Sequence, residues 1–177
     1  MDRIYFKEEQ RYTQNWVWLL LLFSTAVSVG PLWYGLYSQL STGEPWGNNP
    51  TSDDKLIVVT IAMTLFMVAV ILVFRMQKLV SVISDQDVAF RYLPFIRKWI
   101  RITPAEIEKW EVVTYHPIGT YGGWGIKRRN KNDKCYTVSG KLGLRLKLVS
   151  GKTILIGTQR KEALIHAMAK LTGESEK

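Results

Sequence analysis

Hydrophobic residues are concentrated in two long blocks in the first half of the chain, and are regularly spaced after them. The second block, LIVVTIAMTLFMVAVILVF from Leu56 to Phe74, has 19 residues and no charge. At about 1.5 Å per residue, a helix of this length spans nearly the thickness of a bilayer's hydrocarbon core. Because buried helices of soluble proteins are rarely apolar on every face, the block predicts a transmembrane helix over residues 56–76.

The first block, WVWLLLLFSTAVSVGPLWYGLYSQL, is longer and is interrupted by Gly30 and Pro31. It predicts a transmembrane helix over residues 16–40, kinked near Pro31 because proline lacks an amide hydrogen. A cleaved signal peptide is the alternative, but the apolar run continues well past any small-residue cleavage site. Aromatic residues at both ends are typical of the two membrane–water interfaces; they are Trp16, Trp18, Trp33, Tyr34 and Tyr37.

The basic residues that flank the two blocks predict the orientation of the chain. Arg3, Lys7 and Arg11 precede the first block, and Arg75 and Lys78 follow the second. The connection over residues 41–55 has a single lysine against three acidic residues. By the positive-inside rule, we expect residues 1–15 to form a cytoplasmic N-terminal segment and residues 41–55 an external loop. The predicted protein is thus multi-pass, with both termini cytoplasmic.

After Leu79 the pattern changes to short alternating segments separated by turn residues, typical of β-strands. The segment GLRLKLVSG places Leu144, Leu146 and Leu148 on one face. Thr103 followed by Pro104, with Glu106 three positions after Thr103, predicts a capping box and one helical turn. About seven short strands, mostly in antiparallel hairpins, are predicted in total.

The last periodic segment, QRKEALIHAMAKLTG, predicts an amphipathic helix with Thr158 as N-cap and Gly173 as C-terminal stop. A cytoplasmic domain therefore occupies residues 77–172, and residues 173–177 form a flexible tail. The expected fold class is α+β: a two-helix transmembrane hairpin, then a bent antiparallel sheet or partial barrel closed by the C-terminal helix.

Five segments of this domain, with their spacing, resemble the small bacterial membrane proteins that carry a pleckstrin-homology-like (PH-like) domain. They are LVSVISDQDVAFRY, ITPAEIEKWEV, YGGWGIK, YTVSGKLGLRLKL and KTILIGTQRKEAL, and two apolar helices precede them. The resemblance covers residues 77–171. It implies a PH-like fold and a location in the bacterial inner (cytoplasmic) membrane. It implies no activity, because the family is mostly uncharacterised.

The glycine-rich stretch YGGWGIK does not have the spacing of a nucleotide-binding loop. Neither the P-loop pattern nor the dinucleotide fingerprint is present, so no nucleotide is expected as a ligand. Glycine permits positive φ where a sheet bends, and Gly122, Gly123 and Gly125 predict such a bend. The bend would place Trp124 over the glycine gap or against the membrane.

Positive charge is concentrated after the second helix, where 19 Lys and Arg stand against 9 Asp and Glu, a net of +10. Proximity to an anionic leaflet explains this bias more simply than nucleic-acid binding does. The densest part is a five-cation segment that predicts either a solvated loop or a contact with anionic lipid headgroups or an acidic partner. Its residues are Lys127, Arg128, Arg129, Lys131 and Lys134.

No catalytic residue, metal site or cofactor is predicted. His116 and His166 lie on different elements, and neither has a cysteine or carboxylate at metal-ligand spacing. The single cysteine, Cys135, is expected in a reducing compartment and in the core. We therefore expect a protein that is not an enzyme.

In the first helix, Ala26 and Gly30, followed by Pro31, form a small-xxx-small pattern that permits close helix packing. The partner helix is either the second helix of the hairpin, another integral membrane protein, or a second copy of this chain. The sequence favours a non-catalytic, membrane-anchored module that docks on or helps assemble a membrane protein complex at the cytoplasmic face. A module that binds anionic lipid headgroups through residues 127–134 is the alternative.

Overall fold

The computed structural model describes residues 3–173, which divide into two compact units. Residues 14–75 form a helical unit. Residues 3–13 and 76–173 form a second unit, which contains two β-sheets and the remaining helices. The expected α+β class is confirmed.

Two long helices make up the helical unit, and both are long and apolar enough to cross a membrane. Helix α1 comprises Asn15–Thr42 and α2 comprises Asp53–Met76, against predicted ranges of 16–40 and 56–76. Only 6% of the most apolar stretch of α1 and 17% of that of α2 is buried within the protein. Their apolar side chains therefore lie mostly on the outside, unlike those of a helix in a soluble core. Pro31 lies inside α1, which continues as one helix on both sides of it.

The connection between α1 and α2 is fixed by the buried side chain of Gln39. Its amide nitrogen donates to the carbonyl of Thr51 at 3.0 Å and to the Asp53 carboxylate at 2.5 Å. Its amide oxygen accepts the backbone N–H of Trp46 at 3.1 Å. The Trp46 ring then packs against Gly35, where a Cβ atom would overlap it. The loop between the helices is therefore held by specific contacts.

The first sheet has four antiparallel strands in the order β1-β2-β3-β4. Strand β1 lies before α1 in sequence and pairs with β2, which follows α2. The sequence predicts only a cytoplasmic N-terminal segment for residues 1–15, without this strand. The strands are β1 (Ile4–Arg11), β2 (Lys78–Ser84), β3 (Val88–Leu93) and β4 (Ile96–Ile102).

The second sheet has five strands in the order β5-β8-β9-β7-β6. Its members are β5 (Ile107–Thr114), β6 (Gly125–Asn130), β7 (Asp133–Thr137), β8 (Leu142–Leu148) and β9 (Thr153–Thr158). Strands β7 and β9 are parallel and all other neighbours are antiparallel. The parallel pair differs from the expected run of hairpins, because β9 returns between β8 and β7. A 3-10 turn (Pro104–Glu106) precedes β5, and a short helix α3 (Pro117–Tyr121) precedes β6.

Helix α4 (Lys161–Thr172) contacts β1 and β2 and contributes to the main core of this unit. Leu164 and Met168 of α4 are fully buried there, with Phe90 and Leu146 from the two sheets. The predicted N-cap is wrong: Thr158 is the last residue of β9, and Arg160 occupies the N-cap position of α4.

Candidate functional site

The five-cation segment forms the tip and both arms of the β6–β7 hairpin at the edge of the second sheet. Strand β6 is an edge strand with β7 as its only neighbour in that sheet. Arg128, Arg129 and Lys131 are exposed, and Lys127 and Lys134 are half-buried. Among residues 3–173, none of the five forms an ion pair. The hairpin therefore presents uncompensated positive charge to its surroundings.

The register of the hairpin places two of these cations side by side. Arg128 lies directly opposite Lys134 on the neighbouring strand. Like charges at directly opposed positions destabilise a strand pair. The one acidic residue of the hairpin, Asp133, accepts a hydrogen bond from the Tyr121 hydroxyl at 3.0 Å. An anion bound between Arg128 and Lys134 would reduce this repulsion.

The glycine-rich stretch that leads into β6 is a turn with three glycines in the left-handed region. The φ angles of Gly122, Gly123 and Gly125 are 72°, 122° and 114°. The amides of Gly122 and Gly123 end α3 by donating to the carbonyls of Ile118 and Pro117. These residues act on the backbone path, and no phosphate-binding loop is formed.

Trp124, within the same stretch, is held by a hydrogen bond to the turn between β7 and β8. Its indole N–H donates to the carbonyl of Gly140 at 2.9 Å. The ring is half-buried. Trp124 therefore fixes the base of the basic hairpin to a neighbouring turn.

The predicted helix-packing residues lie on an open face of α1. Ala26, Gly30 and Pro31 are all exposed, and a Cβ atom added to Gly30 would meet no atom within 4 Å. The packing of α1 against α2 relies on other residues, such as the indole N–H of Trp33, which donates to the Thr64 hydroxyl at 3.0 Å. The second helix of the same chain, α2, therefore does not pack on this small-residue face.

Cys135 lies in a small buried cluster with Tyr115, Tyr121 and Leu155. Burial raises the pKa of its thiol to about 12, so the thiolate is scarce at neutral pH and the side chain is a poor nucleophile. Burial also raises the pKa of Tyr115 to about 12. In the part of the chain that the structure describes, no group of three or more His, Cys, Asp or Glu side chains is arranged to hold a metal ion.

A buried polar cluster, which the sequence does not predict, lies between β1 and the end of β9. The Glu8 carboxylate accepts hydrogen bonds from the Thr158 hydroxyl and from the backbone N–H of Gln159. The side-chain amide nitrogen of Gln10 donates to the carbonyl of Gly157. Strands β1 and β9 belong to different sheets, so tertiary packing brings these residues together, and IYFKEEQR contains no local alternation that signals the contact.

No protein-family model matches this chain, and no curated protein matches it either.

Proposed function

We propose that this chain is a non-catalytic membrane anchor in which α1 and α2 span the bacterial inner membrane as a hairpin. The β-sheet unit would be a PH-like module at the cytoplasmic face, with both termini cytoplasmic. The module docks on, or helps to assemble, a complex with another integral membrane protein or a second copy of this chain. Two antiparallel-rich sheets and a C-terminal helix in one core support the PH-like part of this proposal.

The open face of α1 is the observation that carries the proposal. Ala26 and Gly30 are one helical turn apart, both are exposed, and nothing in the hairpin covers Gly30. In lipid, helices associate through such small residues because their backbones can approach closely. A small-residue face that is not used within the hairpin is therefore suited to a helix from another chain.

The test is the mass of the complex purified in mild detergent, measured by native mass spectrometry. We expect the wild-type chain to be recovered in assemblies larger than a monomer, and Ala26→Leu with Gly30→Leu to disrupt them. Ala62→Leu is a matched control, because Ala62 is an exposed alanine on α2. Recovery of the wild-type chain only as a lone monomer would overturn the proposal.

The unpaired cations of the β6–β7 hairpin favour a second candidate function, the binding of anionic lipid headgroups. Only Gln77 separates α2 from β2, so a spanning α2 would deliver the sheets to the surface of the inner leaflet. Each cation near such a surface gains about 1 kcal/mol from anionic lipid. The opposed pair of Arg128 and Lys134 would gain further, because a headgroup phosphate relieves their repulsion.

A further inference from the structure

The outer face of the first sheet, which lies opposite its core face, contains a groove of about 550 Å³. Its floor is formed by small apolar side chains of the two central strands, Val80 and Val82 of β2 and Ala89 of β3. Trp99 of the edge strand β4 forms one wall. A groove of this size is within the range of ligand-binding sites in proteins.

Strand register places a cation at each end of the apolar floor. Lys7 of β1 is opposite Val82, Val82 is opposite Ala89, and Ala89 is opposite Arg101 of β4. Since directly opposed residues on neighbouring strands point to the same face, these four side chains form one row across the sheet. The row is therefore apolar in the middle and basic at both ends.

The acidic residues that line the groove are already neutralised within the sheet. Asp87 pairs with Arg101 at 2.7 Å and also accepts a hydrogen bond from the Ser84 hydroxyl at 2.9 Å. Glu9 pairs with Lys78 at 2.7 Å. These pairs leave Lys7 and Arg91 as the lining cations that have no carboxylate partner anywhere in residues 3–173. The groove thus has two cations without a salt-bridge partner among the described residues.

Arg91 is held in a position suited to binding an acid. Its guanidinium carbon lies 4.6 Å from the centroid of the Trp99 ring, a cation–π contact that fixes the plane of the group. Its Nε atom is buried and has no hydrogen-bond partner. A buried donor without an acceptor costs free energy, and a carboxylate that binds the guanidinium edge would remove that cost.

The shape and charge of the groove favour a peptide over a membrane surface or a compact phosphate. A flat bilayer surface would meet the exposed rim of the groove, whereas Val80 and Ala89 of its floor are only 1% and 5% exposed. A compact dianion would also meet the carboxylates of Glu9 and Asp87, which line the same groove. Single carboxylates spaced along a peptide can instead reach Lys7 and Arg91 separately while an apolar side chain covers the floor.

We propose that this groove binds an acidic peptide segment of a partner protein. An apolar side chain of the segment lies on Val82 and Ala89, beside Trp99. Carboxylates that flank it bind Lys7 and Arg91. This inference rests on the proposed function, because it assumes a protein partner at the sheet unit, but it concerns a surface separate from the small-residue face of α1.

Fluorescence anisotropy with the full chain in detergent tests the groove. The probe is a short labelled peptide of alternating glutamate and leucine, and its counterpart has glutamine in place of glutamate. We expect the wild-type chain to bind the glutamate peptide in a salt-sensitive manner and to bind the glutamine peptide at least about tenfold more weakly. The same loss is expected for the glutamate peptide with the Lys7→Gln, Arg91→Gln variant.

Lys109→Gln with Lys152→Gln is the matched control, because it removes two exposed lysines that form no ion pair in the described chain. Circular dichroism confirms that both variants fold. The proposal is overturned if the wild-type chain does not bind the glutamate peptide, or if both variants bind it equally well. The proposal is also overturned if the Lys7→Gln, Arg91→Gln variant no longer binds phosphatidylglycerol vesicles but still binds the glutamate peptide.

The outcomes are distinguishable from those for the proposed function. If the chain does not bind the peptide but still forms assemblies in native mass spectrometry, the groove proposal is contradicted and assembly through the α1 face is retained. If the chain binds the peptide but is always monomeric, assembly through the α1 face is contradicted and the groove is retained as a site for a soluble partner.

Discussion

The carboxylate of Glu8 accepts a hydrogen bond from the Thr158 hydroxyl at 2.7 Å, across 150 residues of sequence, and one from the backbone N–H of Gln159 at 2.8 Å. Glu8 is only 7% exposed. The Thr158 hydroxyl in turn accepts the amide of Arg160, the N-cap residue of α4. One buried carboxylate on β1 therefore organises the passage from β9 into the last helix.

Replacement of Glu8 by alanine should destabilise the sheet unit by about 1.5–3 kcal/mol, because it leaves the Thr158 hydroxyl and the Gln159 amide without their charged acceptor. Glu9→Ala is the control on the adjacent residue. The Glu9 carboxylate pairs with Lys78 at the surface, and such pairs contribute about 0–1 kcal/mol. Denaturant unfolding of the full chain in detergent measures both changes. An equal effect of the two variants would contradict a special role for Glu8.

Strand β1 is not predictable from the sequence for the same physical reason. The inward-facing positions of this strand include Phe6, Glu8 and Gln10, of which only Phe6 is apolar. Glu8 is tolerated inside because the Thr158 hydroxyl and the backbone N–H of Gln159 donate to its carboxylate, and the Gln10 amide nitrogen donates to the carbonyl of Gly157. Hydrophobic periodicity alone therefore does not identify a strand whose inward side chains are paired polar groups.

Elements with local signals were predictable. The uncharged block from Leu56 and the alternation of Leu144, Leu146 and Leu148 predicted α2 and β8 close to where they occur. The capping box is present, since the Glu106 carboxylate accepts the Thr103 amide at 2.9 Å. This hydrogen bond and a second one from the Thr103 hydroxyl, at 2.8 Å, lower the pKa of Glu106.

Features that depend on pairing between distant segments were not predictable. The parallel contact of β7 with β9 requires a strand order that no spacing in the sequence encodes. The groove on the first sheet requires the register that aligns Lys7 with Val82 and Ala89 with Arg101. In contrast, the cations of residues 127–134 are contiguous in sequence, so their clustering was visible without a structure.

Cys135 should make the folded chain more sensitive to alkaline pH. Burial raises the pKa of its thiol from 9.0 to about 12. Below pH 9 both states keep the proton, so there is no effect. Between these two pKa values only the unfolded chain loses the thiol proton. The free energy of unfolding therefore falls as the pH rises, by at most about 1.4 kcal/mol per pH unit.

Urea unfolding between pH 9 and pH 10 measures this slope before tyrosines, whose ordinary pKa is 10.0, contribute strongly. Cys135→Ala should show a shallower slope than the wild-type chain. A thiol reagent such as dithionitrobenzoate should modify Cys135 only after unfolding. Equal slopes, or rapid modification of the native protein, would show that the thiol is accessible.

The basic hairpin should retain anionic lipid if headgroup binding is among its roles. Replacement of Lys127, Arg128 and Arg129 by alanine removes three charges that each gain about 1 kcal/mol near an anionic surface. We expect at least about a tenfold loss of phosphatidylglycerol or cardiolipin adducts in native mass spectra of the full chain. The adducts of the wild-type chain should also decrease as salt increases.

A control for this variant removes three cations elsewhere on the sheet unit. Lys109, Lys152 and Lys161 are exposed and form no ion pair in the described chain, so their replacement by alanine matches the change in net charge. The hairpin is excluded from lipid binding if both triple variants lose the same amount of lipid. Unchanged adducts in the hairpin variant would exclude it as well.

The same substitution at two glycines of α1 should have opposite consequences. Gly35→Ala places a Cβ atom into the Trp46 ring, and overpacking of this kind costs about 1–3 kcal/mol. It should lower the thermal stability of the full chain in detergent and increase proteolysis of the loop over residues 43–52. Gly30→Ala adds a Cβ atom to open space, and it removes a helix-interior glycine that costs about 0.5–1 kcal/mol relative to alanine. It should therefore leave stability unchanged or raised, and because alanine is still small, the assembly through the α1 face should persist. A loop that stays protected from protease in Gly35→Ala would show that Trp46 is not held by its contact with Gly35.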